Sequence, residues 1–318
     1  MLLSRSAENL FWANRYVERA ETLSRLLDVG YRISLLPNTE KGHRGEWKSI
    51  LLSAGSYEGY YSKCSEFDQK TISNYLLFDY ENESSVISCM KKARDNIRSA
   101  RTRVTSDVWQ SFNQSFQNIN RYKKLTYKSE NLPTLCNSIK QEINLLRGAI
   151  ENTQLENDGF AFLNLGYFVE RADSTARLLD VKYFVLLPSK EIVGGERDNT
   201  EWDILLRAIS AHRAFGWAYD GKQTPSKIAH FLILHPEFPR SLIYSLKKIS
   251  INLGRLKLLY GGRSSLADVR VRKILSKFYD LEVEEIFAGG LHEFLTGFIS
   301  EINEISSLID ETYFKGIK

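Results

Sequence analysis

The chain repeats itself over most of its length, so any fold must satisfy both copies at once. Asn14–Tyr31 reads NRYVERAETLSRLLDVGY, and Leu165–Tyr183 reads LGYFVERADSTARLLDVKY. The two stretches align without a gap at an offset of 152 residues, which carries Glu18 onto Glu170. Self-similarity at long spacing is the mark of a repeated structural unit. The charged positions hold best. Glu18/Glu170, Arg19/Arg171, Arg25/Arg177 and Asp28/Asp180 are identical, and Glu21/Asp173 keeps its sign, whereas Leu23 stands opposite Thr175.

Further matches follow in the same order. EWKSILLSA from Glu46 recurs as EWDILLRA from Glu201, and DQKTISNYLLF from Asp68 as TPSKIAHFLIL from Thr224. SVISCMKKARDNI and SLIYSLKKISINL pair Ser85 with Ser241, and LPTLCNSIKQEIN pairs with LHEFLTGFISEIN near the end of each copy. The periodicity is helical throughout, with no strand alternation or hairpin signal. A first helix is expected over about Ser6–Leu36, stopped by Pro37, with a loop containing NTEKGHRG after it. Thr224 is expected to cap a helix that opens on Pro225, and Ser106 to open another. The expected fold is all-α: two similar tandem helical halves, residues 1–153 and 158–318, from an internal duplication, packed as one bundle-like unit.

Composition narrows the class of function. Forty-three basic against 39 acidic side chains leave a net charge of only +4, which gives no reason to expect nucleic acid. Six prolines and 19 glycines are few for 318 residues and favour long helices. Cys64, Cys89 and Cys136 are odd in number, widely spaced and unmatched in the second copy, which argues against disulfides or a zinc site. A reducing, cytoplasmic setting is expected. The opening MLLSRSAENLFW is unlike a signal peptide, and no apolar run approaches a membrane span.

On a helical wheel Glu18, Glu21, Arg25 and Asp28 share one narrow stripe, with Asn14 and Arg32 beside it. Nearly all the other positions are apolar or small, as expected of a buried, central helix carrying a thin charged seam. Arg19 lies about a quarter turn from Glu18. Ions on such a helix must be paired or must line a wet cleft. Two readings follow. In one, Glu21–Arg25 and Asp173–Arg177 form i,i+4 pairs, and Arg19 and Arg171 bind carboxylates or helix C-terminal carbonyls across the repeat interface, as a structural network. In the other, Glu18, Arg19, Glu21, Arg25, Asp28, Glu170, Arg171, Asp173, Arg177 and Asp180 line a polar pocket for a ligand.

Other signals are weaker. Glu18-x-x-Glu21 and Glu170-x-x-Asp173 place paired carboxylates on a helix face, but none of the five histidines completes a Glu-x-x-His iron motif. Only an oxygen-ligated Mg²⁺ or Mn²⁺ fits that pattern, and no metal site is assigned. Lys91, Arg94, Arg98 and Arg101 share a basic face that suits an anion or, more plainly, solvent. YGGRSS at Tyr260 and AGG at Ala288 lack the Lys-Ser/Thr of a phosphate loop and read as helix ends. No nucleophile motif stands out, and Trp47 and Trp202 read as core anchors.

These residues resemble the bacterial alpha-E domain family, named for its helical content and an ER motif. MLLSRSAENLFWANRYVERAE at Met1–Glu21 matches the family opening nearly throughout. ARDNIRSARTRVTSDVWQSFN at Ala93–Asn113, FLNLGYFVERADSTARLLDVK at Phe162–Lys182 and FPRS at Phe238–Ser241 add to the likeness. Tyr167 departs from it, standing where the family has arginine before the second motif. TQLENDGF from Thr153 only loosely resembles an Arg- and Trp-containing lead-in. The resemblance implies association with circularly permuted ATP-grasp proteins and transglutaminase-like peptidases. It brings no established reaction. The expectation is a cytoplasmic accessory protein acting with an ATP-grasp ligase on a peptide or amino-acid ligand. The alternatives are an enzyme whose two seams form the active site, and an interaction scaffold in which the ions are purely structural.

Overall fold

A computed structural model describes residues 2–36, 44–124, 131–186, 196–220 and 223–315. Among these the chain forms fifteen α-helices and no strand. In the first half they are α1 (Ser4–Ser34), α2 (Arg44–Ser53), α3 (Tyr57–Tyr61), α4 (Gln69–Phe78), α5 (Val86–Ser99), α6 (Ser106–Lys124) and α7 (Leu132–Thr153). In the second they are α8 (Asp158–Leu186), α9 (Glu196–Ala208), α10 (His212–Tyr219), α11 (Pro225–Ile233), α12 (Leu242–Leu259), α13 (Leu266–Tyr279), α14 (Val283–Gly289) and α15 (Leu291–Ile309). A 3₁₀ turn at Arg101–Arg103 and a π turn at Asp310–Phe314 complete the set.

Local chemistry explains many of the boundaries. The hydroxyls of Ser85 and Ser241 accept from the backbone N–H of Ser88 and Tyr244, so α5 and α12 start on equivalent serines. Thr224 caps α11 in the same way, with Pro225 next, where a missing N–H costs nothing. Gly261, Gly262 and Gly290 adopt positive φ just beyond α12 and α14, so the two glycine pairs do end helices. The first helix begins earlier than expected, at Ser4, with no side-chain cap, and ends at Ser34. Pro37 and the loop that follows lie outside the described residues.

The two long motif helices form the centre. α1 and α8 make the most extensive helix contact in the molecule. Around them the neighbours run in parallel: α5 and α7 pack on α1, while α12 and α15 pack on α8. α2 packs mainly on α8 and α9 mainly on α1, so the halves interleave. Both helices are buried nearly all round because they are apolar nearly all round. At their crossing a Cβ on Gly166 would run into the Phe11 carbonyl, so only glycine lets the backbones approach this closely. The opposite position, Asn14, donates its side-chain N–H to the Leu163 carbonyl across the same crossing at 3.0 Å. Trp47 and Trp202 are both buried in the core.

Candidate functional site

The seam lies along the α1–α8 contact, and its two copies grip each other. Arg171 donates Nε and Nη2 to the two oxygens of Glu18, at 2.9 and 3.0 Å. Arg19 donates to both oxygens of Glu170, at 2.6 and 3.2 Å. The adjacent Glu and Arg of each helix therefore exchange partners with the other helix, in the reciprocal manner of a two-fold contact. Glu18 and Glu170 are buried, and a fork-to-fork pair is the geometry that offsets that burial best.

A second arginine reaches each carboxylate. On Glu170 it is Arg15, one turn before Arg19, at 2.8 Å, with its other arm on the Ser306 hydroxyl. On Glu18 it is Arg240, just before α12, at 3.3 Å, and Arg240 also binds Glu21. The i,i+4 pairs form as well. Arg25 holds Glu21 and donates to the Ala208 carbonyl, and Arg177 holds Asp173 at 2.7 Å. Asp28 and Asp180 are held elsewhere. Asp28 pairs with Arg32 at 3.1 Å and Lys140 at 3.8 Å, whereas Asp180 faces His292 at 2.7 Å.

The electrostatics are uneven. Burial pushes the Glu170 carboxyl up, but the charges of Arg15 and Arg19 outweigh it and hold the group down at about 2. Burial opposes Glu21 too, and Arg240 and Arg25 overcome it, leaving Glu21 well below the usual carboxylate range. Glu18 moves the other way: burial raises it past what Arg171 restores, and the neighbouring Glu21 charge adds to the rise. Burial pushes the Cys89 thiol up to about 12, so it is no nucleophile near neutral pH.

Two hollows flank the seam. A cleft of about 300 Å³ opens between α7, α8 and α12, lined by Arg147, Tyr167, Arg171, Lys248 and Asn252 among others. Here Tyr167 is the platform: the guanidinium carbons of Arg147 and Arg171 lie 3.6 and 4.1 Å from its ring centroid. The other hollow, about 210 Å³, borders Arg19, Glu170, Asp173 and Arg177, with Ser84 on its wall. Among the described residues no group of three His, Cys, Asp or Glu side chains is placed to hold a metal ion. The seam carboxylates face guanidinium groups.

The four cations Lys91, Arg94, Arg98 and Arg101 do not share one helical face, because Arg101 lies beyond α5 in the 3₁₀ turn, although Arg94 and Arg101 both lie near the Trp109 ring. Arg94 donates to Asn113 and lies 5.5 Å from the Phe116 ring centroid, Arg101 lies 5.3 Å from that of Trp109, and Arg98 is exposed. Aromatic rings of α6 interleave with these cations. Sequence reasoning missed Arg15, Arg240 and Arg147 as seam and cleft residues. A usable signal existed for one of them: Arg15 is a charged position where the copies differ, with Tyr167 opposite.

Comparisons with known proteins agree with this architecture. The Alpha-E family, described as a predicted alpha-helical domain with a conserved ER motif, matches residues 2–314. An uncharacterised protein of Mycobacterium bovis and another of Mycobacterium tuberculosis are each 22% identical over 341 residues. These matches cover 97% of this chain and 36% of each relative, so the chain spans about a third of the length of the curated relatives it matches. No solved structure matches.

Proposed function

The chain belongs to the Alpha-E family, and from that premise we propose that it is a non-catalytic helical accessory protein. In this reading it acts beside an ATP-grasp ligase in making or modifying a peptide, with a transglutaminase-like protein as a further partner. A cytoplasmic site of action belongs to the same proposal. No helix among the described residues is long and apolar enough to cross a membrane.

The observation that carries the non-catalytic reading is the closure of the seam. Glu18, Glu21 and Glu170 each accept from two arginines, and all three are nearly fully buried. A general acid or base needs access to a substrate proton, and a locked, buried carboxylate lacks it. The partner reading draws support from the long relatives, in which a matching region is joined to much additional chain. A unit that in these relatives is joined to much additional chain is suited to working beside a partner. The division into halves at 153 and 158 is part of this proposal, and superposing the two halves tests it.

The experiment is a titration of the purified chain into its cognate ATP-grasp protein, following complex formation and ATP consumption. The chain alone is expected to show no turnover, and the mixture a complex or faster ligation. Turnover by the isolated chain would replace this reading with the enzyme reading, in which the two seams form the active site.

A further inference from the structure

The cleft between α7, α8 and α12 contains two polar atoms that the fold leaves unanswered. Nη1 of Arg147, a donor, and Oδ1 of Asn252, an acceptor, are both buried and without a hydrogen-bond partner among the described residues. Both residues line the same 300 Å³ space, a volume at the low end of the roughly 300–1,000 Å³ typical of small-molecule sites. Asn252 is only 4% exposed, and its amide nitrogen is committed to the Lys248 carbonyl at 2.7 Å. That bond fixes which way its oxygen faces. Arg147 is likewise held in place, by Glu151 at 2.7 Å, Asn164 at 3.1 Å and the face of Tyr167. A buried polar group without a partner costs about 1–3 kcal/mol, so two around one cavity call for an occupant.

The charge of the cleft selects its sign. Arg147, Arg171, Lys248 and Arg255 line it against Glu151 and Glu156, and both acids are already paired with Arg147 and Arg255. Lys248 pairs with no carboxylate among the described residues and lies over the Tyr244 ring at 5.3 Å. An anion is therefore favoured, and the orphan oxygen of Asn252 requires that the same molecule also carry a donor. Simple fatty acids meet the first condition and fail the second at neutral pH, whereas inorganic phosphate keeps an O–H and has to be separated by the test.

We propose that this cleft binds a small carboxylate bearing an N–H donor, an amino acid or the C-terminal end of a short peptide. Arg147 Nη1 and Lys248 take the carboxylate, and Asn252 Oδ1 accepts from the N–H. Phe160 and Phe168 supply apolar wall for a side chain. This goes beyond the accessory reading and does not depend on it, because every contact comes from this chain.

The test is calorimetric titration of the full chain, without any partner protein, using L-alanyl-L-alanine as the probe. Propionate, L-alaninamide and inorganic phosphate form parallel arms that present the carboxylate alone, the donors alone and a different anion. Saturable dipeptide binding is expected, with each control at least about ten-fold weaker. Arg147→Met and Asn252→Leu should each weaken the dipeptide about ten-fold or more, the loss of one hydrogen bond to a charged or buried group. Lys248→Met, at the half-buried rim, keeps the test decisive if a buried variant fails to fold, and should weaken carboxylate probes selectively. No dipeptide binding, phosphate binding as tight as the dipeptide, or wild-type affinity in the folded variants would each overturn the proposal. Failure of complex formation with an ATP-grasp protein would leave it standing.

Discussion

Glu18 and Glu170 occupy equivalent places on the two central helices, yet the second arginine on each arrives by a different route. On Glu170 it is Arg15, from the facing helix α1 itself; the position equivalent to Arg15 on α8 is Tyr167. On Glu18 it is Arg240, from the residue before the α12 cap; the residue before the equivalent α5 cap is Ser84. Each substitution leaves a space. Tyr167 lines the 300 Å³ cleft, and Ser84 lines the 210 Å³ hollow. The comparison teaches that a near-symmetric pair of ion clusters can reach the same pairing while opening two unlike cavities. The charges that the repeat keeps build the centre, and those it exchanges shape the surroundings.

The sharpest way to break the comparison is to neutralise each acid in turn. Glu170→Gln leaves Arg15 and Arg19 without a carboxylate and should cost about 3–5 kcal/mol in chemical denaturation, the usual loss when one partner of a buried pair is removed. Glu18→Gln should cost less, about 1–3 kcal/mol, because burial already disfavours its charge and Arg240 keeps Glu21. Equal losses would erase the asymmetry.

Acid titration gives the next largest effect. Glu170 is lowered from 4.5 to about 2, so its contribution is complete above pH 4.5 and disappears as pH falls toward 2. That contribution is on the order of 3 kcal/mol. The stability gap between wild type and Glu170→Gln should therefore close across this window. Glu18 is raised, so its effect has the opposite sign: its contribution is largest below its unfolded value and weakens as pH rises through the folded one. A gap for Glu170→Gln that persists at pH 2 would refute the assignment.

The last test concerns the exchanged arginine alone. Arg15→Met keeps the Arg19 fork and removes one charged hydrogen bond to Glu170, for an expected loss of about 1.5–3 kcal/mol. A melting curve unchanged from wild type would mean that Arg15 is dispensable.

Much of this centre was legible in the sequence. The wheel placed a thin charged stripe on a greasy helix, and buried α1 and α8 carry it; the acid-before-base spacing foretold Glu21–Arg25 and Asp173–Arg177. The cross-helix role of Arg19 and Arg171 was one of two readings, since a wheel gives direction on a helix but not what stands opposite. Arg240 was invisible for the same reason, lying far along the chain from the carboxylates it serves, and Arg147 because its partner Tyr167 is on the next helix. Arg240 sat in FPRS, a matching stretch with no periodic signal. Asp28 and Asp180 share the stripe's identity between copies but not its partners, because each has moved two turns or more along its helix from the crossing charges.

The reciprocal grip also sets a clock. The acceptor of Arg19 lies 151 residues later in the chain, and the donor to Glu18 lies 153 residues later. At about 5–20 residues per second, synthesis of the intervening chain takes roughly 8–30 s. Throughout that interval Glu18 and Arg19 lack the partners that α8 supplies, so the core of the first half cannot close dry around them. The ribosome must release α8 before α1 can be sealed, and Arg240 and Ser306, which complete the grip, emerge later still.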